Sequence, residues 1–165
     1  MLERGRIYRT ASLTEGCMEI RELTIGELDD LLGLYRHLHA KDDPRPPRLE
    51  VESLWQDIHK NHDLKYFGVF VQGRLVSSCT LAMIPNLTRG CRPYGVIENV
   101  VTDAEFRRQG FGRAVLQHAL AWAWKKSCYK VMLLTSRKDK GTLAFYEKAG
   151  FARGAKHAFL AKPPA

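Results

Sequence analysis

The sequence predicts a mixed α/β fold, a sheet covered by helices, and three observations carry that expectation. Short apolar runs and amphipathic segments follow one another in the order β-α-α-β-β-β-α-β-α-β. Two of the runs, Tyr66–Val71 and Leu75–Met83, are separated only by Gln72-Gly73-Arg74, which reads as a β-hairpin. A glycine-bearing turn joins the apolar run Val96–Val101 to a long amphipathic segment, Arg113–Lys126, as at a strand-to-helix junction. A length of 165 residues suits one domain with a real core.

Each element has its own local reason. Met1–Cys17 has three arginines and little apolar periodicity, so residues 1–17 are read as an N-terminal extension, with Met18 as an alternative start. The domain then spans 18–165. Met18–Leu23 alternates like a strand. Thr24 with Glu27 forms a capping-box pattern for a helix from Ile25, with Leu28, Leu31, Leu32 and Tyr35 on one face. Asp42–Pro47 holds three prolines and must be a loop. A second helix is expected over about 49–60, with Leu54, Trp55 and Ile58 facing inward. Pro85–Pro93 is rich in turn residues. Tyr129–Thr135 reads as a short buried strand, Gly141–Ala149 as a helix closed by Gly150, and His157–Ala161 as a last strand.

The strand-to-helix turn Arg107-Arg108-Gln109-Gly110-Phe111-Gly112 is the most informative stretch. Free backbone N–H groups at a helix start, with the positive end of the helix dipole, attract an anion. Gly110 and Gly112 let a phosphate approach the main chain without meeting a Cβ. Arg107, Arg108 and Arg113 surround the turn with positive charge. Diphosphate binding is the chemistry this favours. Val115 stands where a dinucleotide-binding turn needs a third small residue, and no Gly-Lys-Ser/Thr ending of a P-loop occurs.

The pattern Arg-x-x-Gly-x-Gly resembles the acetyl-CoA pyrophosphate loop of the GNAT superfamily of N-acetyltransferases. Phe145-Tyr146-Glu147-Lys148-Ala149-Gly150-Phe151 resembles the second signature of that superfamily, in the same order and at a similar separation. The resemblance covers 94–153 in detail and 18–93 by layout. It implies a mixed, largely antiparallel central sheet flanked by helices and splayed between the fourth and fifth strands. It also implies acetyl-CoA as acyl donor, with Arg107, Arg108, Gln109, Gly110, Phe111, Gly112 and Arg113 at the diphosphate. The main-chain groups of Val100, Val101 and Thr102 would meet the pantetheine arm and the thioester oxygen. Tyr146 would lie beside the sulfur, able to protonate the leaving thiolate.

Glu98 is the candidate base. A carboxylate inside an apolar strand is expected to be desolvated and so raised in pKa, and the resemblance also puts an acid on this strand. Its bland counterpart is a structural carboxylate. Many relatives carry asparagine seven residues before the tyrosine; here Asp139 stands there, so no binding role is assigned to it.

Charge agrees with a polyanionic ligand. Residues 102–165 hold thirteen Lys/Arg against four Asp/Glu, whereas residues 1–101 hold thirteen against fourteen. The whole net charge of +8 therefore lies in the half that carries the turn. No helix-turn-helix, RNA-binding aromatic motif or zinc finger accompanies it, so nucleic acid is the weaker partner. No apolar run approaches a membrane span and no signal peptide is read. Four scattered cysteines suggest neither zinc site nor disulfide framework, and a reduced cytoplasmic setting is expected. His59 and His62 share a helix face without further ligands, so no metal is expected.

The expected function is acetyl transfer to a primary amine of a small molecule, by direct attack in a ternary complex. The Tyr94–Asn99, Cys128–Lys130 and Phe145–Phe151 stretches resemble the glucosamine 6-phosphate N-acetyltransferase branch most. Arg92, Arg137 or Lys138 would then meet a substrate phosphate. A protein or peptide N-acetyltransferase and a non-catalytic acyl-CoA sensor are the alternatives. A homodimer is expected, with Trp122 and Trp124 as core or dimer contacts.

Overall fold

Apolar faces find partners on both sides of one five-stranded sheet in the computed structural model, which describes residues 18–38 and 41–163. The strands are β1 (Met18–Glu22), β2 (Leu64–Val71), β3 (Arg74–Ile84), β4 (Tyr94–Thr102) and β5 (Val131–Leu133), in that spatial order. Neighbours are antiparallel except β4 and β5, which run parallel. The parallel pair needs a crossover, supplied by helix α3 (Phe111–Lys125). Helices α1 (Leu28–Leu34) and α2 (Arg48–Lys60) cover one face, and α4 (Lys140–Ala149) follows β5. Among the described residues no helix is long and apolar enough to cross a membrane.

Two cores result. On the α3 side, Val115, Leu116, Ala119 and Ala123 pack against Phe67, Val69, Val76, Leu81 and Ile97. On the other, Leu28, Leu31 and Leu34 of α1 and Trp55 of α2 pack with Phe70, Leu75 and Val101. The Trp55 Nε1–H donates to the Ile25 carbonyl at 2.9 Å, which ties α2 to the turn before α1. That first turn is a 3-10 turn over Ile25–Glu27, and the Thr24 N–H donates to the Glu27 carboxylate at 2.6 Å as the capping pattern predicts. The hairpin turn is formed by Gln72 and Gly73, both at positive φ, the geometry that suits the twist of the flanking strands.

Three expectations are corrected. Leu54 is 62% exposed, because the buried stripe of α2 runs through Trp55, Val51 and Ile58, and Leu54 lies about 100° away from Trp55. The strand expected over Tyr129–Thr135 shortens to three residues. The last strand, His157–Ala161, does not form: Phe159 and Leu160 are 94% and 85% exposed, and without a face to bury the segment has nothing to hold it as a strand. The reading of residues 1–17 lies outside the described residues.

Gly95 of β4 pairs with Val131 of β5. A Cβ there would come within 2.9 Å of Leu81 Cδ1 and 3.1 Å of Val131 Cγ2. Gly95→Ala is expected to destabilise the protein by about 1–3 kcal/mol through overpacking, read by denaturant titration.

Candidate active site

The site begins where β4 and β5 part. Their pairing stops at Ile97 opposite Leu133, yet β4 runs on to Thr102. From Glu98 onward the second edge of β4 therefore faces a cleft, the splay implied by the resemblance. The cleft has a volume of about 1670 Å³ and is lined by both edges of that gap, by the start of α3 and by α4.

A β-bulge shapes the cleft side of β4. Thr80 pairs with Glu98 and Ser78 with Val101, so Asn99 and Val100 together oppose the single residue Cys79. Asn99 takes the extra length in a left-handed conformation, φ +52°, which asparagine tolerates better than most residues. The residue lines the cleft. Sequence reasoning missed it, although an asparagine in an otherwise apolar strand was the available signal.

After β4 the chain turns through Ala104–Phe106 into α3. Gly110 precedes the helix at φ +91°, and Gly112 lies in its first turn. A Cβ at Gly112 would come within 3.0 Å of Thr102 Oγ1 and 3.2 Å of the Phe145 ring, so this glycine lets α3, β4 and α4 approach one another. The N–H groups of Phe111, Gly112 and Arg113 begin a fifteen-residue helix, and such a helix start attracts anions. Arg108, Gln109 and Arg113 are exposed around it.

Arg107 lines the cleft but is partly committed elsewhere. Its Nε–H donates to the Thr102 carbonyl at 3.2 Å and its Nη2 to the His37 carbonyl at 3.4 Å. Beside it, buried Asp103 accepts from Arg74 Nη2 at 2.5 Å and from the Glu105 N–H at 3.0 Å, and His37 Nε2 lies 3.8 Å away. Burial alone would raise the Asp103 carboxyl, but the Glu105 N–H and the Arg74 guanidinium outweigh it and hold it below the usual carboxylate range. Together these contacts clip the turn to the end of the α1 segment. The Arg74–Asp103 pair had no signal in the sequence, because its partners are 29 residues apart.

Glu98 and Tyr146 face the same cleft. Glu98 is exposed there, so the expectation of a desolvated carboxylate fails: the splay that opens β4 also opens Glu98 to solvent. Tyr146 is half-buried on α4 between Phe145 and Phe151. Burial raises its phenol above the usual tyrosine range; nearby Arg137 opposes the shift and nearby Glu98 adds to it. Val100, Val101 and Thr102 also line the cleft, Val101 with its side chain in the opposite core.

Other residues find quieter places. The Asp139 carboxylate caps α4 by accepting from the Thr142 N–H at 2.8 Å, which holds it below its usual range. Arg137 lines the cleft, whereas Lys138 and Arg92 do not, and Arg92 donates to the Arg89 carbonyl instead. His59 meets the Trp55 ring edge-on, and its ring nitrogens lie 3.1 and 3.2 Å from the Trp55 and Leu23 carbonyls. Among the described residues no three His, Cys, Asp or Glu side chains gather as metal ligands. Burial pushes the Cys79 thiol up to about 12 and raises that of Cys128, which leaves both poor nucleophiles.

Comparison with known proteins agrees with this geometry. Residues 28–151 match the Acetyltransferase (GNAT) family. Glucosamine 6-phosphate N-acetyltransferase of Trypanosoma brucei brucei is 36% identical over 137 residues, 81% of this chain and 88% of that one. A solved chain from Agrobacterium tumefaciens, described as an acetyltransferase, is 39% identical with a TM-score of 0.82, over 88% of this chain and 99% of that one. Glucosamine-6-phosphate N-acetyltransferase from Arabidopsis thaliana shares the fold at 23% identity and a TM-score of 0.76, over 88% of this chain and 97% of that chain. The parted strands, the glycine turn ahead of α3 and these matches agree: the chain belongs to the GNAT family of acetyltransferases.

Proposed function

We propose that the protein is an acetyl-CoA-dependent N-acetyltransferase that acts on a primary amine of a small molecule, with an amino sugar phosphate as the favoured acceptor. The observation that carries the reading is the open edge of β4 running directly into the anion site at α3. A diphosphate held by the N–H groups of residues 110–113, with Arg107, Arg108, Gln109 and Arg113 around it, would direct a thioester arm back along Val100–Thr102. The acceptor class is supported by the Trypanosoma relative's identity and by Arg137 in the cleft, able to meet a phosphate.

In this reading Glu98 takes a proton from the ammonium of the acceptor, and the freed amine attacks the thioester carbonyl. Backbone N–H groups of Val100–Thr102 offset the charge that develops on the carbonyl oxygen. The C–S bond breaks and the Tyr146 O–H gives its proton to the departing thiolate. A raised phenol pKa keeps that proton available. Direct attack suits a cleft that neither Cys79 nor Cys128 lines, both being buried in the core and poor nucleophiles. We further propose a cytoplasmic setting and a homodimer, the latter supported by the half-exposed Trp124 indole. Sedimentation of the purified chain tests the dimer.

The deciding experiment is chromatographic detection of CoA released from acetyl-CoA across glucosamine 6-phosphate, other amino sugars, polyamines, amino acids and short peptides. Release with the amino sugar phosphate is expected. Release with peptides alone would move the acceptor to proteins, and acetyl-CoA binding without release would make the protein a sensor. Tyr146→Phe should lower kcat by about 10²-fold with little change in acetyl-CoA binding, and unchanged turnover would remove its acid role. Glu98→Gln should cost kcat similarly, with the loss largest at the acid end of the pH range, where ammonium predominates. An acid must be protonated to act, and the Tyr146 pKa is raised. Its contribution should therefore persist up to the ordinary tyrosine value of about 10, visible as no alkaline fall in kcat due to Tyr146 below that pH.

A further inference from the structure

β4 is least supported at the end that borders the cleft. It has no β5 neighbour beyond Ile97, and on the β3 side the bulge at Asn99 and Val100 interrupts the ladder. Pairing resumes with Val101 opposite Ser78 and Thr102 opposite Ser77. There a side chain reinforces the ladder: the buried Ser77 Oγ–H donates to the Val101 carbonyl at 2.9 Å. The Ser77 Oγ also lies 2.9 Å from Thr102 Oγ1. A serine hydroxyl carries a single proton, which the Val101 carbonyl takes, so Thr102 is the donor in the second bond.

The hydroxyl pair lies under α3. Val69, Ser77 and Thr102 form one cross-strand row, directly opposed residues share a face, and Val69 packs in the α3-side core. A Cβ at Gly112 would come within 3.0 Å of Thr102 Oγ1, so the same hydroxyl sits against the first turn of the helix. The main chain of Thr102 looks the other way. In a trans peptide the C=O and the following N–H point to opposite sides. The Asp103 N–H donates to the Val76 carbonyl on β3, so the Thr102 carbonyl faces the open edge, where Arg107 Nε donates to it at 3.2 Å.

Thr102 is therefore the joint at which β3, the open edge of β4 and the start of α3 meet. Aliphatic side chains could fill the same buried space. Hydroxyls add direction, because a hydrogen bond weakens steeply when it is bent. We propose that Ser77 and Thr102 are positioning residues for the acyl donor: their hydroxyl pair fixes the end of β4 against β3 and α3. With it they fix the separation between the open strand edge and the helix start. The proposal rests on the acetyl-transfer reading, in which a diphosphate held at α3 directs its thioester arm along Val100–Thr102. Without the pair the strand end shifts out of register with the arm, while the diphosphate keeps its contacts.

Calorimetric binding of two ligands to the full chain separates positioning from packing. Acetyl-CoA carries both diphosphate and arm, whereas 3′-phosphoadenosine 5′-diphosphate carries the diphosphate alone. Ser77→Ala and Thr102→Val should each weaken acetyl-CoA about fivefold to tenfold, the scale of one hydrogen bond, and change the nucleotide Kd by less than about twofold. Thr102→Ser keeps the hydroxyl and should bind acetyl-CoA more tightly than Thr102→Val. The double variant Ser77→Ala/Thr102→Val leaves no hydroxyl orphaned. It should recover most of the stability that Ser77→Ala loses in denaturant titration, yet bind acetyl-CoA no more tightly than Ser77→Ala. Affinity that recovers along with stability, equal weakening of both ligands, or no weakening would overturn the positioning role. A wild-type chain that does not bind acetyl-CoA would count against the proposed reaction instead. Crystal structures of the free wild-type chain and of Ser77→Ala then decide the geometry: a shift of the end of β4 against α3 is expected, and superposable backbones would overturn the proposal.

Discussion

The hydrogen-bonding capacity of β4 is the constraint on which the site depends. A strand inside a sheet normally spends its N–H and C=O groups on two neighbours, and β4 does so only as far as Ile97. Beyond that point β5 has ended, while β3 stays paired on the other side apart from the bulge. Buried backbone groups left without a partner are costly, so this edge must face water or a ligand. The cleft is the consequence. The position of α3 follows from the same parting, since the crossover that permits a parallel β5 must leave β4 at its open end. Gly112 then fixes how closely the helix can sit against Thr102 and Phe145.

Much of this was legible because the relevant residues act through local chemistry. The hairpin at Gln72-Gly73, the capping pair Thr24 and Glu27 and the glycines ahead of α3 each impose a backbone conformation wherever they occur. Glu98, Tyr146 and the turn from Arg107 to Arg113 come to one cleft, as their order along the chain suggested. The environment of a residue was harder to read. Glu98 looked buried because its neighbours are apolar, but burial depends on whether an adjacent strand continues, and nothing within β4 encodes where β5 stops. Leu54 misled for a related reason, since an apolar residue one position off the stripe of Trp55 has no surface to meet. Arg74, Asp103 and His37 were invisible because their association is purely tertiary.

Electrostatics divides the molecule in a way that geometry explains. The basic surplus of residues 102–165 accompanies the turn, α3, β5 and α4, the elements that border the cleft. Part of that charge is structural. Arg107 bonds two backbone carbonyls and Arg74 answers Asp103, so neither guanidinium is wholly available to an anion. At the turn itself Arg108 and Arg113 are exposed, and the helix N-terminus adds a contribution that does not depend on side-chain rotamers.

The core also carries its own clock. Cys79 is sealed between the bulge and α3, where its Sγ lies 3.9 Å from the Val115 carbonyl, whereas Cys91 sits in the open on the β3–β4 loop. A thiol reagent will modify Cys91 in the folded protein at the rate of an exposed group. It can reach Cys79 only when sheet and helix separate. The interval between the two modifications therefore measures how often the central layer opens, and a ligand that bridges β4 and α3 must lengthen it by the factor 1 + [L]/Kd, which keeps growing after the site is full. A chain without disulfides among its described cysteines thus holds, in one inert sulfur, a record of the motion that its binding cleft suppresses.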